Sequence, residues 1–171
     1  MLSFSGGERK VKQTLNSGSQ KSTMFISVMF KKAGAKATVN EKLIREFLNR
    51  KNVFAVVGAS RDPKKYGYQV YRDLRNAGYK VYPVNPNANE ILGDKCYSSL
   101  DSLPVKPDVA DLVVPLKITE QAVKTCKKLG IKKVWMQPGS ESETAINFCR
   151  ENGIAVVHGV CVMIERRSRQ S

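Results

Sequence analysis

An α/β fold, doubly wound in three layers around a five-stranded parallel sheet, is predicted by three observations. Short apolar runs recur five times between residues 53 and 159. Segments with helical spacing separate most of them. Each run ends in a residue that stops a strand: Gly58, Pro86, Pro115, Gly139 or Gly159. Strands alternating with helices of about ten residues imply βαβ units and a parallel sheet. The expected order is 3-2-1-4-5, wound outward from the first strand in both directions. Ligands of such sheets bind beyond the carboxyl ends of the strands, here at the switch point between strands one and four.

The elements follow in order. In "NEKLIREFLNRKN", Asn40 is a candidate N-cap, and Leu43, Ile44, Phe47 and Leu48 share one helical face. "VFAVVG" (53–58) is a continuous apolar run, as a buried parallel strand requires. "YQVYRDLRNAGY" (68–79) is helical and stops at Gly78. "KVYPVNP" (80–86) and "VADLVVP" (109–115) read as the second and third strands, with a short helix expected around "SSLDSLP" between them. "TEQAVKTCKKLG" (119–130) has Thr119 as its expected cap. "KKVWMQPG" (132–139) is the fourth strand. "SESETAINFCRENG" (140–153) carries Ser140 and Glu143 at capping-box spacing, and "IAVVHG" (154–159) is the fifth strand.

Two domains of composition are expected. Residues 1–39 are rich in Ser, Gly and Lys, which predicts a disordered basic tail. Its composition also resembles an organelle transit peptide, although Arg9 is its only arginine. Residues 40–171 form the folded domain. A cytoplasmic place is expected, with mitochondrial import through the tail as the alternative. No apolar run approaches the ~20 residues of a membrane span. The net charge is +14; residues 1–40 hold seven basic residues and Glu8, leaving +8 for the rest. A basic domain suits an anionic ligand, while its dispersed charge and lack of a reader motif speak against specific nucleic-acid binding. Cys96, Cys126, Cys149 and Cys161 lack C-x-x-C spacing and histidine neighbours, so no metal site is expected and the thiols read as reduced. Nothing in the sequence sets the oligomeric state.

The strand ends supply the candidate site. Gly58, Ala59 and Ser60 form a turn that admits close backbone approach. Gly67, near the start of the next helix, adds backbone donors with a partial positive field. Arg61, Lys64 and Lys65 crowd the same loop, and Tyr66 is placed to stack on a base. These features suit a multiply phosphorylated ligand. The motif is not G-x-G-x-x-G, since the next glycine after Gly58 is Gly67. After the second strand stand Asn85 and Pro86, with no carboxylate for a ribose 2′-hydroxyl. NAD is therefore disfavoured, and NADP remains open. Gly58→Val is expected to abolish ligand binding at modest cost in stability, because Gly58 sits at the rim of the sheet.

With these residues in view, "VVGASRDPKKYGYQVYRDLRNAGYKVYPVNPNANEILGDKCYSSLDSLP" and "VWMQPGSESETAINFCRENGIAVVHGVCVMIE" resemble the small stand-alone coenzyme A-binding domain family of bacteria and archaea. The likeness covers roughly residues 50–165. The same Rossmann-like fold forms the nucleotide-binding half of the succinate–CoA ligase alpha subunit. The resemblance implies coenzyme A as the cofactor. It implies a phosphate turn at Gly58, Ala59 and Ser60, and an adenosine-side segment at Asn85 and Pro86. Val114 and Pro115 match the ligase's Val-Pro, and Gln137, Pro138 and Gly139 match the loop after the fourth strand. The ligase's lysine after the second strand is missing from "NPNANE", so Lys64 or Lys65 must replace it. "VVPLK" stands where some members have "VFR", and "HGVC" where others have "DRC".

The expected function is binding of coenzyme A or an acyl-CoA, with no evident catalytic machinery and no catalytic residue assigned. The alternative is an NADP-dependent oxidoreductase or another nucleotide-binding enzyme. His158, the single histidine, has no visible nucleophile or carboxylate partner and reads as structural. Cys161 and Trp135 read as core residues, and Glu165 is placed to pair with a basic residue.

Overall fold

The structure, a computed structural model, describes residues 41–169. The expected tail at 1–39 and the cap at Asn40 lie outside the described residues. In chain order the elements are α1 (Glu41–Phe47), β1 (Val53–Val57), α2 (Tyr66–Asn76), β2 (Lys80–Val84), β3 (Glu90–Ile91), β4 (Asp94–Lys95), β5 (Val109–Leu112), α3 (Leu116–Leu129), β6 (Lys133–Met136), α4 (Glu143–Glu151), β7 (Ala155–Val157) and α5 (Val162–Arg167). A single 3₁₀ turn at Leu100–Ser102 is the short helix expected between the second and third apolar runs.

Five strands pair in parallel in the order β2-β1-β5-β6-β7. The sheet is wound outward from β1 in both directions, as in the 3-2-1-4-5 pattern. The place beyond β2 is held by Tyr97, which bridges Val84 in parallel. The run at 109–115, counted third in the sequence, therefore lies directly beside β1, in the fourth place. Burial explains this: all four residues of β5 are buried, whereas β2 begins exposed. A strand buried on both faces belongs inside a sheet. The chain from Asn85 to Asp108 instead spends its length on the β3–β4 hairpin and the 3₁₀ turn. The hairpin turns through Leu92 and Gly93, both at positive φ (54° and 80°), the backbone that a two-residue turn of the tightest kind needs.

Alternation along the strands sorts the core into two layers. Phe54, Val56, Val109 and Trp135 pack with Ile44, Phe47, Tyr71 and Leu74 under α1 and α2. Ala55, Ala110, Leu112, Val134 and Met136 pack with Cys126, Ile146 and Cys149 under α3 and α4. Cys126 and Cys149 are both fully buried, and burial pushes their thiols up to about 12 and about 11. Trp135 is a core residue, as expected: its indole N–H donates to Val160 O at 3.0 Å and its ring meets Phe47 edge-on.

Three local expectations are corrected. α3 starts at Leu116, with Pro115 before it. Thr119 thus lies inside the first turn, where its hydroxyl donates to Ser140 O at 2.9 Å. α4 is capped by Ser142, whose Oγ accepts from Ala145 N, and not by Ser140. Ser140 Oγ accepts from Val114 N at 3.1 Å, a tie between two strand ends that outcompetes the cap. Finally, α5 follows β7 and was not foreseen. Arg166 and Arg167 of α5 both bind Asp73 of α2, at 2.8 and 2.6 Å. Glu165 pairs with Arg169 at 2.6 Å. Among the described residues, no helix is long and apolar enough to cross a membrane.

Candidate functional site

Beyond the carboxyl ends of β1, β2 and β5 lies a cleft of about 620 Å³. Its floor is the turn after β1. Gly58 holds φ at +90°, and its N–H donates to Val84 O at 2.9 Å. A Cβ at Gly58 would stand 2.2 Å from Val113 O and 2.7 Å from Val114 Cγ1. The glycine is therefore required by the neighbouring strand end as well as by its own backbone angle. This overturns the modest stability cost expected of Gly58→Val. Gly67 is also a packing glycine: a Cβ there would stand 2.0 Å from Gly58 O, so it brings α2 against the β1 turn.

Asn85 ties the second strand end to this floor. Its Nδ2 donates to Ala59 O at 2.7 Å, and its Oδ1 accepts from Asn87 N at 2.8 Å. Asn85 thus lines the cleft with its side chain committed to the loop. Ala59 is buried beneath it. Ser60 Oγ accepts from Asp62 N at 3.1 Å, which shapes the turn and leaves the hydroxyl proton available to the cleft.

Two helices begin at the cleft, and neither is capped by a side chain. α2 follows Lys65 and α3 follows Pro115; both flanking residues line the cleft, and neither first turn holds an acid. α4 differs, with Ser142 as its cap and Glu143 in its first turn. Free N–H groups at two helix starts give the cleft a positive field without a committed acceptor.

The cleft gathers Gly58, Ser60, Asn85, Pro86, Val114 and Pro115 from the predicted set. It adds Lys65, while Lys64 is exposed on the loop and absent from the lining. Tyr66 turns elsewhere: its hydroxyl is 2.8 Å from Cys161 Sγ and 3.3 Å from Gln137 Oε1. Gln137 is fully buried, and its Nε2 donates to Asp111 Oδ1 at 2.8 Å. Pro138 and Gly139 are exposed beyond it, where Gly139 N donates to Glu141 at 2.6 Å. His158 lies at the end of β7, outside the cleft lining.

Sequence reasoning missed two walls of the cleft: the face of α3 with Ile118, Gln121, Ala122 and Thr125, and the segment Ser98, Ser99, Leu100 and Asp101. Asp101 brings a carboxylate to a cleft whose second strand ends without one; the Ser99 hydroxyl holds that carboxyl below its usual range. The signal was the length of the segment after Pro86, which has to cross the strand ends before β5. Also missed was Asp111. It is fully buried, its Oδ2 has no hydrogen-bond partner among the described residues, and burial pushes its carboxyl up to about 7 against the opposing pull of Gln137.

With the geometry established, similarity to known proteins decides the family. A family model described as CoA binding domain matches residues 52–167. The chain belongs to the CoA-binding domain family. Over 106 residues this CoA-binding domain is 41% identical to the alpha subunit of an ADP-forming acetate–CoA ligase II from Pyrococcus furiosus, covering 61% of this chain and 23% of that one. A small hypothetical protein from Pyrococcus horikoshii is similar in structure, with a TM-score of 0.75 and 35% identity; the match covers 83% of this chain and all of that one. A dinucleotide-forming acetyl-coenzyme A synthetase from Ca. Korarchaeum cryptofilum, solved with phosphate and ADP, matches with a TM-score of 0.58 and 35% identity, over 69% of this chain and 27% of the synthetase. The chain spans about a quarter or less of the ligases it matches. The CoA-binding domain is thus homologous to one domain of those larger enzymes.

Proposed function

We propose that the chain binds coenzyme A or an acyl-CoA in the cleft beyond β1, β2 and β5. The observation that carries this reading is the pair of uncapped helix starts, α2 and α3, that open onto one cleft. Two positive ends without their own acceptors suit a ligand with several phosphates. Lys65 stands at one of these starts. Arg61 and Lys65 also line a neighbouring depression of about 300 Å³ that shares Ser60 and Asn85 with the cleft. Asp62 lines it too, but the two cations outnumber that carboxylate, and its size suits a further phosphate group. The inner walls are apolar, with Val57, Val84, Leu100, Val114 and Ala122. They suit an adenine ring or a pantetheine arm, while Ser99 and Asp101 supply acceptors for amino and hydroxyl donors. Membership of the CoA-binding domain family supports the same ligand.

The role is that of a binding module. Transfer of a ligase activity to this chain has no support in the length it shares with the ligases.

Calorimetric titration with coenzyme A, dephospho-coenzyme A and NADP tests the reading. Coenzyme A is expected to bind best, with dephospho-coenzyme A weaker because it forgoes Arg61 and Lys65. NADP binding more tightly than coenzyme A would replace this reading with the oxidoreductase one. Equal affinity for the first two ligands would remove the role given to the basic loop.

A further inference from the structure

A second depression, of about 520 Å³, lies at the opposite end of the sheet from the cleft. Arg45, Arg50, Arg166, Arg169, Ser168 and Tyr79 line it. These come from α1, from the turn before β1, from the start of β2 and from the end of α5. β1 has five residues, so roughly 16 Å of strand separates this depression from the cleft.

Four guanidinium groups meet here, and no carboxylate is among the lining residues. Carboxylates do stand nearby and hold some of the arginines in place. Asp73 binds Arg166, while Glu165 and Glu41 bind Arg169. Arg50 donates to Ala77 O and lies 4.9 Å over the Tyr79 ring. Arg45 is exposed, and no hydrogen bond or ion pair engages it among the described residues. Arg169 Nε is buried and has no acceptor among the described residues. A buried N–H without a partner is rare in native folds.

We propose that this arginine-lined depression is a binding site for a small di- or polyphosphate anion, distinct from the cleft. Guanidinium groups present paired donors that match phosphate oxygens, and two of those here are already oriented by ion pairs. The Arg169 Nε–H supplies a donor with no competing acceptor among the described residues. Arg45 supplies charge that no ion pair among the described residues neutralises. The volume exceeds what one phosphate fills, which favours a diphosphate over a single phosphate group.

Inorganic pyrophosphate is the probe, titrated calorimetrically into the full chain at low ionic strength. One equivalent that depends on Arg45 is expected to bind, apart from any that the cleft takes up. Arg45→Gln is expected to weaken binding roughly tenfold, since a hydrogen bond to a charged group is worth that or more. Arg169→Gln is expected to weaken it at least as much. Because Arg169 also ties α5 to α1, its thermal midpoint is recorded alongside; if that variant is unfolded, Arg45→Gln decides alone. Lys65→Gln, in the cleft, is expected to leave the Arg45-dependent equivalent in place, whatever it does to pyrophosphate held by the cleft. Absence of binding, or an Arg45→Gln variant that binds like the parent, would overturn the proposal. So would loss of binding in Lys65→Gln with retention in Arg45→Gln, which would place the anion in the cleft. None of these outcomes depends on whether coenzyme A is the cleft's ligand.

Discussion

Two residues show how burial and backbone set the behaviour of the whole site. Gly58 combines a left-handed φ with a neighbour 2.2 Å from where a Cβ would stand. Gly58→Ala is expected to cost at least about 2 kcal/mol, from the strained angle together with the displaced β5 end. Chemical denaturation of the variant measures it, and a loss under half a kcal/mol would contradict the packing described. Asp111 acts through protonation. Its folded carboxyl titrates near 7, against an ordinary value of 3.8, because burial disfavours the charge. The folded chain therefore holds a proton that the unfolded chain releases. Stability is expected to fall as pH rises from about 4 to about 7, then to level off. Asp111→Asn keeps the acceptor for Gln137 and removes the titration, so its stability profile is expected to be flat across that window. At pH 8 the variant is expected to exceed the parent by roughly 4 kcal/mol. A parent and variant with parallel profiles would show that Asp111 does not titrate there.

At the scale of elements, the helix starts divide by task. α4 is capped and carries an acid in its first turn, whereas α2 and α3 are uncapped where they open onto the cleft. Replacing Lys65 by Asp would give α2 its missing cap. Thermal stability is expected to rise by about 1 kcal/mol. Coenzyme A affinity is expected to fall at the same time, because the new carboxylate takes the donors that the phosphates would use. Tighter binding in Lys65→Asp would refute the role assigned to the α2 start. The link between α2 and α5 is ionic. Burial opposes ionisation of Asp73, but hydrogen bonds from Arg166 and Arg167 outweigh it and hold the carboxyl below its usual range. This contribution is present above the ordinary carboxylate range and is lost as pH falls through the lowered value. Asp73→Asn is expected to cost about 3 kcal/mol, since Arg166 would be left nearly buried beside a neutral partner. Much of the order of elements was legible in the sequence, because apolar runs and their glycine stops are local signals. The place of the 109–115 run was less so. That depends on burial on both faces, which no local pattern reports. The caps at Thr119 and Ser140 failed for a related reason: both hydroxyls serve bonds between strand ends that only the tertiary structure brings together.

For the whole molecule, the two core layers and the cleft all lie within the described residues. The chain without residues 1–39 is expected to unfold cooperatively and to bind coenzyme A as the full chain does. A broad, non-cooperative transition in the shortened chain would move the domain boundary. The candidate site was partly legible. Strand ends are readable from a sequence, so Gly58, Ser60, Asn85, Pro86, Val114 and Pro115 were found. Gln137 was found as a strand end, but its side chain turns toward Asp111 and Tyr66, away from the cleft. The Ser98–Asp101 wall was not found, because a crossing segment without strong periodicity reveals its path only in three dimensions.

Trp135 is the only tryptophan of the chain, fully buried, with its indole N–H bonded to Val160 O just before α5. The molecule therefore carries a single-site optical reporter. In the native state its emission is expected toward the blue end of the indole range, as a dry environment requires. Its N–H bond ends on the segment that leads into α5, so detachment of that segment would wet the ring and shift the emission red. Ligands entering the cleft lie at a different place and would leave the colour unchanged. Fluorescence thus separates loosening of the chain's last turn from occupancy of its binding site, with no label added.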